Sequence, residues 1–295
     1  MHQTIPVMFT GGAYGTYIEY LLNTWTSQGE QTNQHVSPFT DKGNAHAYVG
    51  HHLVNMAGWR EYLNQKDTFR FVRFHPKTNS NENISNNIAE VSAQVNNAIL
   101  IEVDSASKLL VLNNYYSKIW DNWEEHQFND SIDISIIYKN WPVKPNTPLK
   151  DIPKWILREF FSYYLIPAWE DLIKMPKTIP NNVFVLTVSD ILTRFSRYRW
   201  PKMLTYCGLT ENKDITSIHA TMLSTQKYVS HQRACDCIID SILHDDVTYD
   251  YSEFALSFID EVYLQHMLRG KGIELKCDGL NQFPSSTKKL LELIA

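Results

Sequence analysis

Residues 5–25, IPVMFTGGAYGTYIEYLLNTW, constrain the fold more than any other stretch of the chain. Residues 5–9 are a short apolar run, the length of one buried strand. Gly11, Gly12 and Gly15 follow within a few positions, and glycine tolerates positive φ and close backbone approach. Tyr17, Ile18, Tyr20, Leu21, Leu22 and Trp25 then recur at helical spacing. The pattern predicts strand, glycine loop, helix. A helix that opens directly after such a loop turns its first N–H groups and the positive end of its dipole toward whatever occupies the loop, which suits phosphate or sulfate. An ordinary strand-to-helix turn is the alternative. The string lacks the lysine of the GxxxxGK[ST] phosphate loop, and Tyr17 stands where a dinucleotide fingerprint needs its third glycine.

With 295 residues, 43% hydrophobic and 20% charged, the chain has the composition of a soluble globular protein of one large or two small domains. A formal net charge of −5 argues against general nucleic-acid binding. No basic segment followed by an apolar run opens the chain, and no stretch reaches the ~18 uncharged apolar residues of a membrane span. A cytoplasmic location without a membrane partner is therefore expected. Cys207, Cys235, Cys237 and Cys277 are scattered, and Cys235-Asp236-Cys237 is too tightly spaced for a zinc pair, so reduced buried thiols are expected. His46, His51 and His52 crowd together, but adjacent histidines diverge on a helix or a strand, and no metal site is expected.

Farther along, residues 27–44 read as a polar loop and residues 69–75, FRFVRFH, as an alternating strand. His75 ends that strand, where an α/β sheet places its ligands and an imidazole can take a proton from an acceptor hydroxyl. A loop histidine beside Pro76 is the alternative. Residues 84–95 predict a helix, and residues 98–103, AILIEV, a buried parallel strand. Ser105, Ser107 and Lys108 open the next helix, either as caps or as contacts for a second phosphate. Residues 134–138 read as a short strand, and Pro142, Pro145, Pro148 and Pro153 as a broken, hinge-like connection. Residues 152–172 predict a long helix, kinked or ended by Pro167. Residues 182–188 predict another strand, followed by a helix that Pro201 divides and Gly208 ends. Arg194, Arg197 and Arg199 read as a solvated basic face. Helices over 222–243 and 252–268, an edge strand over 273–277 and a closing helix over 284–294 complete the reading.

Strands at 6–10, 70–74, 99–103 and 183–188 alternate with helices, which predicts an α/β fold: three layers, with a mostly parallel central sheet flanked by helices. Gly12-Ala13-Tyr14-Gly15-Thr16-Tyr17 falls in register with a Pro-Lys-Ser-Gly-Thr-Thr type of loop. Residues 185–192, VLTVSDIL, and Tyr206-Cys207-Gly208-Leu209 are similar to a strand, Glu-Asp-Leu and a helix ending Leu-Gly-Leu; His75-Pro76 is similar to a strand ending in a base histidine. In this order the segments resemble a divergent P-loop sulfotransferase. The resemblance implies a single domain over 1–295 with helical insertions at about 140–180 and 215–270. It implies 3′-phosphoadenosine-5′-phosphosulfate as donor and a small-molecule or saccharide hydroxyl or amine as acceptor, with no metal. Gly11, Gly12, Ala13, Tyr14, Gly15, Thr16 and Tyr17 would hold the 5′-phosphosulfate and His75 would be the base. Ser105, Ser107 and Lys108 would substitute for the 3′-phosphate residues, and Gly15→Asp is expected to abolish donor binding. Ala13 departs from the resemblance, since it replaces the loop's lysine or arginine; Lys42, Arg60, Arg73 and Lys77 are the cations able to replace it from elsewhere. Two other readings stand beside this one: a non-catalytic anion- or nucleotide-binding relative, and an NAD(P)-dependent short-chain dehydrogenase.

Overall fold

A computed structural model describes residues 4–29, 52–53, 55–65, 70–75, 84–121, 134–148, 151–226, 229–244 and 257–273. Contacts divide the chain into two compact units, residues 1–107 with 171–227 and residues 108–170 with 228–295. Residues 108–170 and 228–295 overlap the two insertions anticipated for a single domain.

The first unit is built on one parallel sheet. Strands β1 (Ile5–Met8), β2 (His52–Leu53), β3 (Phe71–Phe74), β4 (Ala98–Glu102) and β5 (Val183–Thr187) lie in the order β2-β3-β1-β4-β5. Each neighbouring pair is parallel, as expected where helical crossovers join the strands. Met8 is level with Phe74 on one side and Leu100 on the other, and β4 runs beside β5 from Ala98–Val183 to Glu102–Thr187.

The two-residue period of the strands sorts their side chains between two faces. Met8, Val72, Phe74, Ala98, Leu100 and Val183 share a core with Met56, Trp59 and Tyr62 of α2 (Met56–Leu63) and with Ile88 and Val91 of α3 (Ile84–Ala93). Trp59 is fully buried, stacked on Tyr62 and edge-on to Phe74; burying a side chain of this size contributes on the order of 1.5–3 kcal/mol or more. Asn55 caps α2 by accepting from the Gly58 N–H at 2.8 Å. Arg73 points to the opposite face, where it meets α1 (Gly15–Trp25). Helices therefore cover both faces, and the expected three-layer α/β class is observed.

Two prolines leave the same mark on their helices. A π turn, Phe161–Leu165, joins α6 (Lys154–Phe160) to α7 (Ile166–Leu172) and ends two residues before Pro167. A second, Phe195–Arg199, lies between α8 (Val188–Thr193) and α9 (Trp200–Cys207) and ends two residues before Pro201. In each, the residue before proline bonds five residues back, Ile166 to the Phe161 carbonyl and Trp200 to the Phe195 carbonyl. Widening the turn moves the carbonyl four residues before proline away from the ring, so the chain stays helical where an α-turn would clash. The predicted helix over 152–172 is thus helical throughout from Lys154, with its irregularity placed by Pro167.

The second unit holds α4 (Lys108–Asp121), α5 (Ser135–Asn140), α6, α11 (Val229–His244) and α12 (Phe258–Gly270). Asp260 is its polar centre. Ser257 and Asp260 form a capping box at the start of α12, and the same carboxylate accepts from Asn113 at 2.9 Å and contacts His231 at 2.6 Å. Burial acts to raise this carboxyl, but the bonds from His231, Ser257 and Asn113 outweigh it and hold Asp260 below its ordinary range.

Two expectations are corrected. Residues 134–138 are not a strand: Ser135–Asn140 is a helix, with Ile137 buried and Trp141 edge-on to Tyr164. Its apolar run is too short for periodicity to separate a strand from a helix, and packing decides. The single helix over 222–243 is two, α10 (Thr216–Ser224) and α11. His46, His51, Lys42, Lys77, Cys277, the edge strand past Ile273 and the helix over 284–294 lie outside the described residues. Among the described residues, no helix is long and apolar enough to cross a membrane.

Candidate functional site

Sheet order locates the site. β1 leaves through α1 toward β2 and β3, whereas β4 leads to β5 on the other side. The crevice between the carboxyl ends of β1 and β4 is a topological switch point, where open parallel sheets take their ligands. The glycine loop begins there.

The loop is a curl that ends at the start of α1. Gly12 has φ 84° and Tyr14 φ 65°, two left-handed residues within three positions, and such curls turn successive N–H groups toward a common centre. Tyr14 is the N-cap and its side chain makes no capping bond, so the first-turn amides of Gly15 and Thr16 have neither a capping side chain nor an intrahelical acceptor. The Ala13 N–H, by contrast, closes a turn on the Thr10 carbonyl at 3.1 Å and is withdrawn from the expected cradle. Thr10 itself is fully buried at the loop's entry, and its hydroxyl has no bond partner among the described residues.

Gly15 answers to packing. A β-carbon placed on it would lie 2.1 Å from the Phe9 ring. Phe9 also meets His75 edge-on, with ring centroids 5.1 Å apart. Phe9 thus lies between the loop glycine and the histidine that follows β3, and it brings His75 to the loop's flank. The His75 N–H bonds to the Leu53 carbonyl at 3.1 Å, which continues the β2–β3 pairing and anchors the residue's backbone.

The side chains of Tyr14 and Tyr17 are held by α10 and the residues just after it. Tyr14 donates to Gln226 at 2.7 Å. The Tyr17 hydroxyl lies 3.0 Å from His219 Nδ1, and the rings stack. Burial lowers the His219 pKa, and its bond to the Ile191 backbone only partly offsets this. With its ring proton given to Ile191, the neutral imidazole accepts from Tyr17. Both tyrosines brace the loop, and their hydroxyls face α10.

β3 sets a cation beside the start of α1. Arg73 Nη1 donates to Thr16 Oγ1 at 2.8 Å, and its Nε lies 2.5 Å from Glu19 Oε2. Thr16 and Glu19 are three residues apart on α1 and so share the face that rests on the sheet. The Glu19 side chain is 0% exposed and that of Arg73 12%. Arg60, another candidate, is occupied with Glu90 on the surface. The signals for Glu19 and Arg73 were visible as single anomalies: an acid amid the apolar residues of α1 and a base inside an apolar strand. Their pairing needs the tertiary structure.

The predicted second anion contact is differently engaged. Ser107 is buried and its hydroxyl bonds the Asp104 carbonyl at 3.1 Å, closing the turn Ser105–Ser107. Asp104 accepts from the Ser189 N–H at 2.9 Å and hydroxyl at 2.7 Å. Burial, with Asp104 nearby, raises the Glu102 carboxyl. Ser105 is exposed. Lys108 belongs to the second unit and pairs with Glu170 at 2.9 Å. The structure thus places the Phe9 ring against both Gly15 and His75, and gives Ser107 and Lys108 partners of their own.

Of the three arginines read as a solvated face, Arg194 and Arg199 converge on buried Asp190 at 2.5 and 2.8 Å. Burial pushes the Cys207 thiol up to about 12, which makes it inert. No protein-family model matches the chain, and neither the curated proteins nor the solved structures yield a similar one.

Proposed function

We propose that this protein has a P-loop sulfotransferase-like fold and transfers a sulfuryl group from 3′-phosphoadenosine-5′-phosphosulfate to a hydroxyl or amine of a small molecule or saccharide. The observation that carries the reading is the contact of Arg73 with Thr16, which sets a guanidinium beside a glycine loop that lacks its own cation. Arg73 occupies a lone pair of Thr16 Oγ1, so the Thr16 proton remains to be donated to an oxyanion. The buried Thr10 hydroxyl is an orphan of the kind a bound oxyanion satisfies.

In the reaction, the acceptor oxygen or nitrogen attacks sulfur while its proton passes to His75. The bond from sulfur to the bridging oxygen breaks, and its electron pair leaves with adenosine 3′,5′-bisphosphate. Amides at the start of α1, Thr16 and Arg73 oppose the charge that grows on the leaving group; fixed donors of this kind lower the barrier more for the transition state than for the ground state.

Calorimetric titration with adenosine 3′,5′-bisphosphate should show one site, and labelled donor should yield a sulfated product from an acceptor panel. His75→Gln should lower kcat by roughly 10²–10⁴ and leave bisphosphate affinity unchanged. Absence of bisphosphate binding sinks the reading; undiminished transfer by His75→Gln removes the histidine from it. A non-catalytic nucleotide-binding role is the second reading, favoured by the loop's Ala13 and by Glu19, which offsets the Arg73 charge. Bisphosphate binding with no product from any acceptor would select it.

A further inference from the structure

We propose that Glu102 binds a positively charged amino group of the acceptor, so that the switch-point cleft takes an anionic donor on its glycine loop and an amine-bearing acceptor beside it. This rests on the reading of the loop as the donor's oxyanion site. Glu102 is the last residue of β4, the strand that borders β1 at the switch point. It is half-buried, and among the described residues it has neither a hydrogen bond nor an ion pair. The groups around it are engaged elsewhere. Thr187, level with it on β5, accepts from the Asp190 N–H at 3.0 Å. Asp104, two residues farther on, is held by the N–H and hydroxyl of Ser189.

The sheet sets a second unpartnered group alongside. Met8 is level with Leu100. Thr10 and Glu102 stand two residues beyond this pair, and the period of a strand puts both on the face that carries Met8 and Leu100. The extended path of β1 continues to Phe9, whose N–H bonds the Phe74 carbonyl at 3.1 Å. The Thr10 hydroxyl, buried and without a bond partner among the described residues, therefore lies between the loop and Glu102. A hydroxyl offers one proton and two lone pairs. The proton suits an oxyanion in the loop, and a lone pair suits an ammonium N–H on the Glu102 side. The Glu102 carboxylate costs the fold stability, because it is partly withdrawn from water and lies near the like charge of Asp104. An ammonium group supplies the missing counter-ion, donates hydrogen bonds and offsets the repulsion between Glu102 and an anion held in the loop. A neutral hydroxyl supplies the hydrogen bond alone.

Wild type and Glu102→Gln, each saturated with adenosine 3′,5′-bisphosphate, are titrated by calorimetry with glucosamine, at a pH that keeps its amine protonated, and with glucose. Wild type should bind glucosamine about tenfold more tightly than glucose, the scale of a hydrogen bond to a charged group. Glu102→Gln should erase that preference without weakening bisphosphate binding. Because Glu102 has no partner in the fold, Glu102→Gln should also leave the thermal unfolding midpoint unchanged or raise it. A clear fall in the midpoint would mark Glu102 as a structural residue and overturn the inference. A preference for glucosamine that is absent from wild type, or that survives in Glu102→Gln, overturns it too. Magnesium ion is titrated alone as the rival occupant, and binding that Glu102→Gln abolishes would make the carboxylate a metal ligand instead. The loop reading survives each of these results as long as wild type binds the bisphosphate. If wild type does not bind it, both readings fall.

Discussion

At the scale of single residues, Gly15 shows how one sequence signal can carry two physical reasons. A glycine at the start of a helix suggests close approach of a ligand, yet a β-carbon placed on Gly15 would run into the Phe9 ring. Gly15→Ala should lower stability by about 1–3 kcal/mol through overpacking, read as a fall in the thermal unfolding midpoint. Phe9→Leu added to it should recover part of that loss, because the shorter side chain makes room. A neutral Gly15→Ala would show that the ring moves aside freely. The expected loss of ligand binding in Gly15→Asp is therefore no clean test of the loop, since that variant meets the same ring.

At the scale of elements, helix ends divide into those written locally and those imposed by neighbours. Gly208 ends α9 with φ 65°, while Leu209 bonds back to the Leu204 carbonyl at 2.9 Å and Gly208 to that of Thr205 at 3.2 Å, a Schellman arrangement. Apart from its chain neighbours, no atom of the described residues lies within 4 Å of a β-carbon placed there. Gly208→Ala should therefore cost only the backbone penalty, about 1–2 kcal/mol, measurable as a shift in denaturant midpoint at constant slope; a larger loss would reveal a contact the geometry lacks. The glycine, Pro167 and Pro201 were all legible as punctuation, because each acts on its own backbone. The π form of the two turns was not, since nothing local distinguishes a proline that ends a helix from one that a widened turn absorbs.

At the scale of the whole molecule, titration links the units to pH. Burial holds the folded-state pKa of His219 below its ordinary 6.5. Unfolding therefore takes up a proton, and stability falls as pH drops below about 6.5. Glu170 adds a second, more acidic stage. Its bond to His266, opposed by burial and aided by Lys108, lowers it to about 2. Its stabilisation is present above its ordinary 4.5 and is lost as pH falls toward 2. Unfolding midpoints measured from pH 7.5 to 3 should decline in two stages, and His219→Gln should flatten the first. An unchanged slope between pH 7 and 5 in that variant would assign the first stage to another group.

The chain by itself determined the strand–glycine loop–helix opening, the strands over 70–74, 99–103 and 183–188 and the α/β class, because alternation, helical spacing and glycine act over distances of a few residues. His75 was placed at the end of its strand for the same reason. Only the tertiary structure decided the strand order that sets β1 beside β4, the Phe9 ring between Gly15 and His75, and the pairing of Arg73 with Glu19 and Thr16. Those facts join residues 57 positions apart in the case of Thr16 and Arg73. Burial and charge complementarity choose such partners from many candidates, and no local pattern records the choice.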